Sequence, residues 1–427
     1  MHLIILSISI VLIALFCYKP KIGIYLLALL LPVIGFEITI SSLSFPLIDL
    51  MAFLLMLAFS FKLLFNILFN SNSLDNLKLP LFLPFLAFLF ISFLSSLYAT
   101  ELSYSLWYFI RWPLFLYIAY ILIPYNIVRD QKTLRNTIIV ATISSVVVLI
   151  FGYLSLYGQD ITDSFFRIRS IALAGVFPFG QNHNLIAEFL NVGAFFILSL
   201  RFLAKDKRLK RFFDVLFIIS IIAIILTFSR TGWIILALQA LLYFFVYFKD
   251  RGMNKKDIVI PLLLFVILIS PLFIRMNRLQ SDNISSTENR LLLTEISIEA
   301  FKQKPILGYG SGYFIKLVEN NVRFVAKYGE PIDSHGVLQK TLAENGIFGI
   351  ISWLFIMLVV IKIFYQAIIK YSKEYPWLTP LVIGAIGGLF FQLLNTSYYK
   401  GKVWLPIVLA LLAIKLLDNI YERKRNK

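Results

Sequence analysis

Long apolar runs separated by short charged connections recur along the whole chain. Each approaches the roughly 20 residues that a helix needs to cross about 30 Å of hydrocarbon. The runs fall near 3–18, 22–36, 47–69, 79–98, 102–124, 137–158, 185–203, 213–229, 231–248, 258–274, 347–369, 378–396 and 403–417. They predict thirteen spans, or twelve if the short first run lies in the membrane interface. That run follows no basic segment, which speaks against a cleaved signal peptide. Barrel strands alternate apolar and polar positions over about 10 residues, whereas these runs are continuous, so helices do the spanning. The expected fold is all-α: one polytopic membrane domain over residues 1–427, with about 12–13 transmembrane helices. Two long polar stretches interrupt the pattern, 159–184 and 275–346. The second is too long for a structureless connector in a compact protein.

Composition sharpens this picture. Of 427 residues, 59% are hydrophobic and 15% charged, which excludes a soluble chain and a single anchor on a soluble domain. Cys17 is the one cysteine, so neither a disulfide framework nor a cysteine-based metal site is expected. The net charge of +17 is unevenly placed. Alternate connections hold 25 of the 40 basic residues and nine of the acidic ones, carrying a net +16. Lys and Arg beside transmembrane segments stay on the cytoplasmic side. The set running from Lys19 and Lys21 to the basic C-terminus is therefore expected to be cytoplasmic, and the 159–184 and 275–346 loops extracytoplasmic. Because the excess is spread over short connections, it does not form a nucleic-acid patch.

Within the 275–346 loop, Thr287 is placed to cap a helix whose Leu293, Ile296 and Ala300 share one face. Lys302 and Lys304 stand in its last turn and Pro305 follows. The pattern predicts an amphipathic helix lying on the outer membrane surface.

Charges inside or at the edge of apolar spans are costly and mark candidate sites. Arg230, in Ser229-Arg230-Thr231-Gly232, breaks an otherwise apolar stretch and suits a phosphate or pyrophosphate at headgroup level; a loop arginine snorkelling to headgroups is the alternative. Arg111 lies within the fifth span, facing either a polar cavity or an ion pair with Glu101. Arg167 and Arg169 precede a Gly/Pro-rich segment that ends in His183 and Asn184. The arginines read as anion contacts, Asn184 as a helix cap, and His183 as ordinary turn chemistry. His335 follows Asp333, and a neutral imidazole there can take a proton from a hydroxyl with Asp333 orienting it; a surface-loop histidine is the plainer reading. With three histidines in the chain and no HExxH, P-loop or Asp-x-Asp pair, no metal or cofactor is expected, and any catalysis should be metal-independent.

Taken in order, the Ser229-Arg230 break, Arg290, Pro305-Ile306-Leu307-Gly308-Tyr309-Gly310, His335 and Glu344-Asn345-Gly346 resemble the O-antigen ligase and polymerase family over roughly 165–350. Gly336 departs from the pattern, which usually has Asn after the histidine. The resemblance implies a membrane glycosyltransferase of the GT-C type. It would transfer a glycan from an undecaprenyl-pyrophosphate carrier to an acceptor hydroxyl on the outer face of the bacterial cytoplasmic membrane. Its partners would be that donor, a glycan or lipid acceptor, membrane lipids and other polysaccharide-assembly proteins. Arg230 and Arg290 would stabilise the leaving pyrophosphate, and His335 would act as base. Two other classes compete: a secondary transporter or exporter of a lipid-linked or anionic substrate, and a scaffolding subunit of an envelope assembly.

Overall fold

A computed structural model of the chain describes residues 2–40, 43–69, 77–160, 166–249, 280–395 and 398–425. Helices α1 (His2–Tyr18) and α2 (Pro20–Leu30) meet at Lys19 with a bend of 119°. Pro20 opens α2 and has no N–H to continue α1, so the chain turns there. The first two runs, expected as separate spans, therefore form a bent pair. A β-hairpin of β1 (Glu37–Ile40) and β2 (Leu43–Pro46) leads into α3 (Leu47–Phe69). Next come α4 (Phe82–Leu97) and α5 (Leu102–Phe109). The latter continues through π-helical stretches Ile110–Leu114 and Leu116–Leu122 into α6 (Ile123–Ile127). The bundle continues with α7 (Gln131–Leu154), α8 (His183–Leu203), α9 (Lys207–Leu226) and α10 (Arg230–Lys249). It closes with α11 (Gln280–Gln303), α12 (Tyr313–Glu319), α13 (Val322–Tyr328), α14 (Val337–Tyr371), α15 (Leu378–Phe391) and α16 (Gly401–Arg425).

The chain is a polytopic, all-α membrane protein. Seven of the described helices are long and apolar enough to cross a membrane, and the bent α1–α2 pair would make eight. That differs from the thirteen or twelve expected: α4 and α15 are apolar but span only 16 and 14 residues, and the run at 258–274 lies outside the described residues.

Helices α8, α15 and α16 form the centre, and almost every residue of α15 is buried. Aromatic side chains pack edge-on around them, Trp353 against Phe88 and Trp404. A buried ion pair crosses this core. Lys402 donates to Glu188 at 2.7 Å, Asn395 donates to the same oxygen at 2.9 Å, and both charged side chains are 2% exposed. Pairing is what makes such burial tolerable in a membrane bundle.

At one end of the bundle the basic connections are tied by Lys21–Asp130, Arg201–Asp214, Lys370–Asp418 and Lys424–Glu374. The opposite end carries the N-termini of α8, α10 and α14, together with α11–α13. There Leu293, Ile296 and Ala300 are buried as one face, as their spacing predicts. The face is nevertheless filled by protein and not by the membrane surface, because Phe314, Val318, Phe324 and Ala343 close over it. Thr287 lies inside α11, which begins at Gln280, and is not its cap.

Candidate active site

The site forms where two helix N-termini meet. Asn182 caps α8, its side chain accepting from the Asn184 N–H at 2.9 Å. The cap is thus two residues before the expected Asn184. Asn184 instead ties two helices together. Its Oδ1 accepts from Ser229 Oγ at 2.6 Å, and Ser229 Oγ accepts in turn from the Gly232 N–H at 3.1 Å. This chain of bonds locks the start of α10 to the start of α8 and leaves Arg230 as the first residue of α10. Both helices aim positive dipole ends and unsatisfied N–H groups at the same region, which favours an anion.

A second segment approaches from the 159–184 loop. The Ile168 N–H donates to the Leu226 carbonyl at 2.9 Å, and the Arg169 N–H to Ser155 Oγ at 2.9 Å. Gln159 brackets the backbone of Arg167, accepting its N–H at 3.1 Å and donating to its carbonyl at 2.9 Å. Ile168 is fully buried, so the alternation of an extended chain turns Arg167 and Arg169 to the other side. Arg167 is half-buried and Arg169 exposed.

Helix α11 supplies the third cation. Gln339 joins it to the His335 segment: its Oε1 accepts from the His335 N–H at 3.1 Å, and its Nε2 donates to Thr294 Oγ1 at 2.6 Å. Thr294 Oγ1 donates to the Arg290 carbonyl at 2.8 Å, and Ser297 Oγ donates to the Gln339 carbonyl. Arg290 and His335 are therefore held by one polar seam. Burial first, and the Arg230 charge second, lower the pKa of Arg290. Burial and then the Arg290 charge push the His335 imidazole down to about 4, against the opposing charge of Asp333. His183 lies in the field of both Arg167 and Arg290. Among the described residues, Arg290 Nε is buried with no hydrogen-bond partner. A buried guanidinium donor left unmatched is costly and needs an explanation.

The structure thus brings together Arg230, Arg290, His335 and Arg167, with Asn184 as the tie between α8 and α10 and Arg169 exposed at the edge. His183, which the sequence assigned to turn chemistry, joins them. Arg111 does not. Its guanidinium lies 5.1 Å from the Phe45 ring centroid and 5.2 Å from that of Trp112, beside a cavity between α3 and α5. Glu101, its proposed partner, pairs with Lys316 instead.

Next to the His335 segment lies a network in which the sequence reading had Asp333 and Glu344 but missed Lys340. Lys340, completely buried, donates to Asp333 at 2.8 and 3.1 Å and pairs with Glu344 at 2.8 Å. The Lys340–Glu344 spacing of four was the available signal. The Glu344 carboxylate also accepts from the Phe314 N–H at 3.1 Å, and its carbonyl accepts from Ser95 Oγ at 2.6 Å. Around this residue the glycine motifs find their purpose. At Gly346, φ 63° and ψ −155° kink α14, and a Cβ there would meet the carbonyl oxygen of Ile306 at 2.5 Å. The Pro305–Gly312 turn docks onto that kink, with the Tyr309 and Gly310 N–H groups donating to the Ala343 and Glu344 carbonyls at 3.0 and 2.9 Å. Gly336, the departure noted in the sequence, is pressed against the Leu393 carbonyl, where no side chain fits without a shift.

Fold and site together define a polytopic helical membrane protein with a cluster of cationic side chains at one end of its bundle. Residues 215–354, about a third of the chain, match the protein-family model described as O-antigen ligase, in agreement with the resemblance carried by the sequence motifs. Arg230, Arg290 and His335 fall within the matched segment; Arg111, Arg167, Arg169 and Asn184 precede it. No curated protein gives a significant match.

Proposed function

We propose that this protein is a glycosyltransferase of surface-polysaccharide synthesis that moves a glycan from undecaprenyl pyrophosphate to an acceptor hydroxyl, at the outer face of the bacterial cytoplasmic membrane. The observation that carries the reading is Arg290, whose buried Nε has no hydrogen-bond partner among the described residues and which lies beside Arg230 and His335. The family match supports a glycosyltransferase-type role with a lipid-linked donor and a glycan acceptor.

The chemistry follows from charge. The acceptor oxygen attacks the anomeric carbon while the bond from that carbon to the pyrophosphate oxygen breaks, and the bonding pair leaves with the pyrophosphate. Negative charge grows on the leaving group. Arginines fixed there stabilise the transition state more than the ground state. His335 takes the acceptor proton, and a single displacement inverts the anomeric centre. Burial and the Arg290 charge hold His335 neutral, hence able to accept a proton. A bound pyrophosphate offsets the Arg290 field and raises the basicity of the imidazole as the reaction needs it. The arginines supply the positive charge that a divalent cation would otherwise bring, which makes the proposed reaction metal-independent.

The test is reconstitution of the purified full chain with a lipid-linked oligosaccharide. A ladder of products marks a repeat-unit polymerase, and a single attachment to a core lipid or other acceptor marks a ligase. Transport of the oligosaccharide across the bilayer without a new glycosidic bond contradicts the proposal and favours an exporter.

A further inference from the structure

Gln339 joins the segment of the base to the helix of the donor cation, and the transfer chemistry assigns it no part. It is the third residue of α14, where a glutamine ordinarily reaches back to satisfy an N–H at the helix start. Gln339 does so, its Oε1 accepting from the His335 N–H at 3.1 Å. A backbone N–H can only donate, so this bond fixes the amide with Nε2 turned the other way. Nε2 then donates to Thr294 Oγ1 at 2.6 Å. The hydroxyl proton of Thr294 is left for the Arg290 carbonyl, 2.8 Å away and one turn earlier on α11. From the His335 N–H to the Arg290 carbonyl each donor meets an acceptor, and no bond can be reversed without leaving another unmade.

Capping α14 needs only the first of these bonds. The others run to the helix that carries Arg290. Arg290, Thr294 and Ser297 stand at spacings of four and three, one face of α11, and Ser297 Oγ donates to the Gln339 carbonyl. The face that carries the cation is therefore the face that holds Gln339. An inverting displacement sets the attacking and leaving oxygens on opposite sides of the anomeric carbon. The base must reach the first while the arginine holds the second, so the separation of His335 from Arg290 governs the rate. The chain between them passes through α12 and α13, so packing and this seam set that separation, not covalent spacing.

We propose that Gln339 and Thr294 are positioning residues of the transfer reaction, holding the His335 backbone at a fixed distance and angle from Arg290. The inference rests on the proposed glycosyl transfer. It concerns rate and not affinity, since neither residue needs to touch donor or acceptor.

The purified full chain is assayed with lipid-linked oligosaccharide. Thr294→Val, which keeps the shape of the side chain and removes its hydroxyl, is compared with Thr294→Ser, which keeps the hydroxyl. Thr294→Val is expected to lower kcat by about ten- to a hundredfold, as for a base displaced by about 1 Å, with the KM for the donor unchanged. Thr294→Ser is expected to restore most of the rate. The decisive arm repeats Thr294→Val in a His335→Ala background. A residue that acts through His335 has nothing left to position there, so little further loss is expected; a general structural defect would cost the same factor in both backgrounds. Equal losses in the two backgrounds, a Thr294→Ser as slow as Thr294→Val, or a raised donor KM with kcat unchanged each overturn the inference. Gln339→Met, which keeps chain length and loses both amide bonds, carries the same cycle if Thr294→Val does not fold. An unmodified chain that forms no new glycosidic bond contradicts the proposed function itself, whereas an active chain with a fully active Thr294→Val contradicts the positioning role alone.

Discussion

Two charged clusters lie within a few residues of each other at the same end of the bundle, and they are built on opposite principles. In the Lys340 network every charge has a protein partner: Asp333 and Glu344 share the ammonium group, and Glu344 also takes the Phe314 N–H. In the Arg290 cluster like charges crowd together, a buried Nε has no partner among the described residues, and two histidines sit in the field of arginines. The first arrangement is complete and fixes the backbone at the Gly346 kink. On the proposed function, the second is completed by the pyrophosphate of the donor. Burial alone does not separate structural charge from functional charge; satisfaction does.

Removing His335 should have the largest effect on rate. His335→Ala is expected to slow turnover by about a hundred- to ten-thousandfold, as for loss of a general base, while leaving lipid-donor binding intact. Single-turnover assays beside donor-binding measurements decide this, and normal turnover would remove the base assignment.

Lys340→Met should act on stability instead. It leaves Glu344 buried without its cation, which typically costs about 3–5 kcal/mol. Thermal unfolding in detergent reads the loss, and adding Glu344→Gln should recover part of it. If Lys340→Met stays stable yet abolishes donor binding, the two clusters are one site and the contrast drawn above fails.

A smaller effect is expected from pH. His335 titrates near 4 in the folded protein against an ordinary 6.5, so the unfolded chain binds a proton that the folded chain refuses between those values. Its contribution to stability is full above pH 6.5 and declines as pH falls toward 4. Unfolding measured across that window should show the slope, and His335→Gln should reduce it. Smallest of all, chelation by EDTA should leave turnover unchanged. Activity that vanishes and returns with one divalent ion would replace the arginine account with a metal.

Much of this was legible in the sequence because charge is rare in apolar runs. Arg230 stood out by interrupting one, and Leu293, Ile296 and Ala300 announced a buried face by spacing alone. What covered that face was not legible, since Phe314 and Phe324 arrive from later helices. Glu188, an acid inside the run 185–203, was passed over, and its partner Lys402 lies 214 residues away, where no local spacing connects them. Lys340 and Gln339 were overlooked for another reason: within a polar loop a charge or an amide carries no penalty and draws no notice. Arg111 was recognised as costly, but its surroundings were not legible, because hydropathy gives depth along a helix and not which helices face each other: Glu101 pairs with Lys316, and the rings of Phe45 and Trp112 lie against the guanidinium.

The central claim is that Arg290 is a pyrophosphate contact, and Arg290→Lys tests it most directly. Lysine keeps the charge but loses the planar fork of donors. The expected result is a fall in turnover on the lipid-linked donor of about a hundred- to a thousandfold, as for one lost donor to a developing anion. Weaker binding of the pyrophosphate-linked lipid should accompany it, with thermal stability unchanged. An Arg290→Lys protein that binds and turns over donor like the unmodified chain would contradict the account.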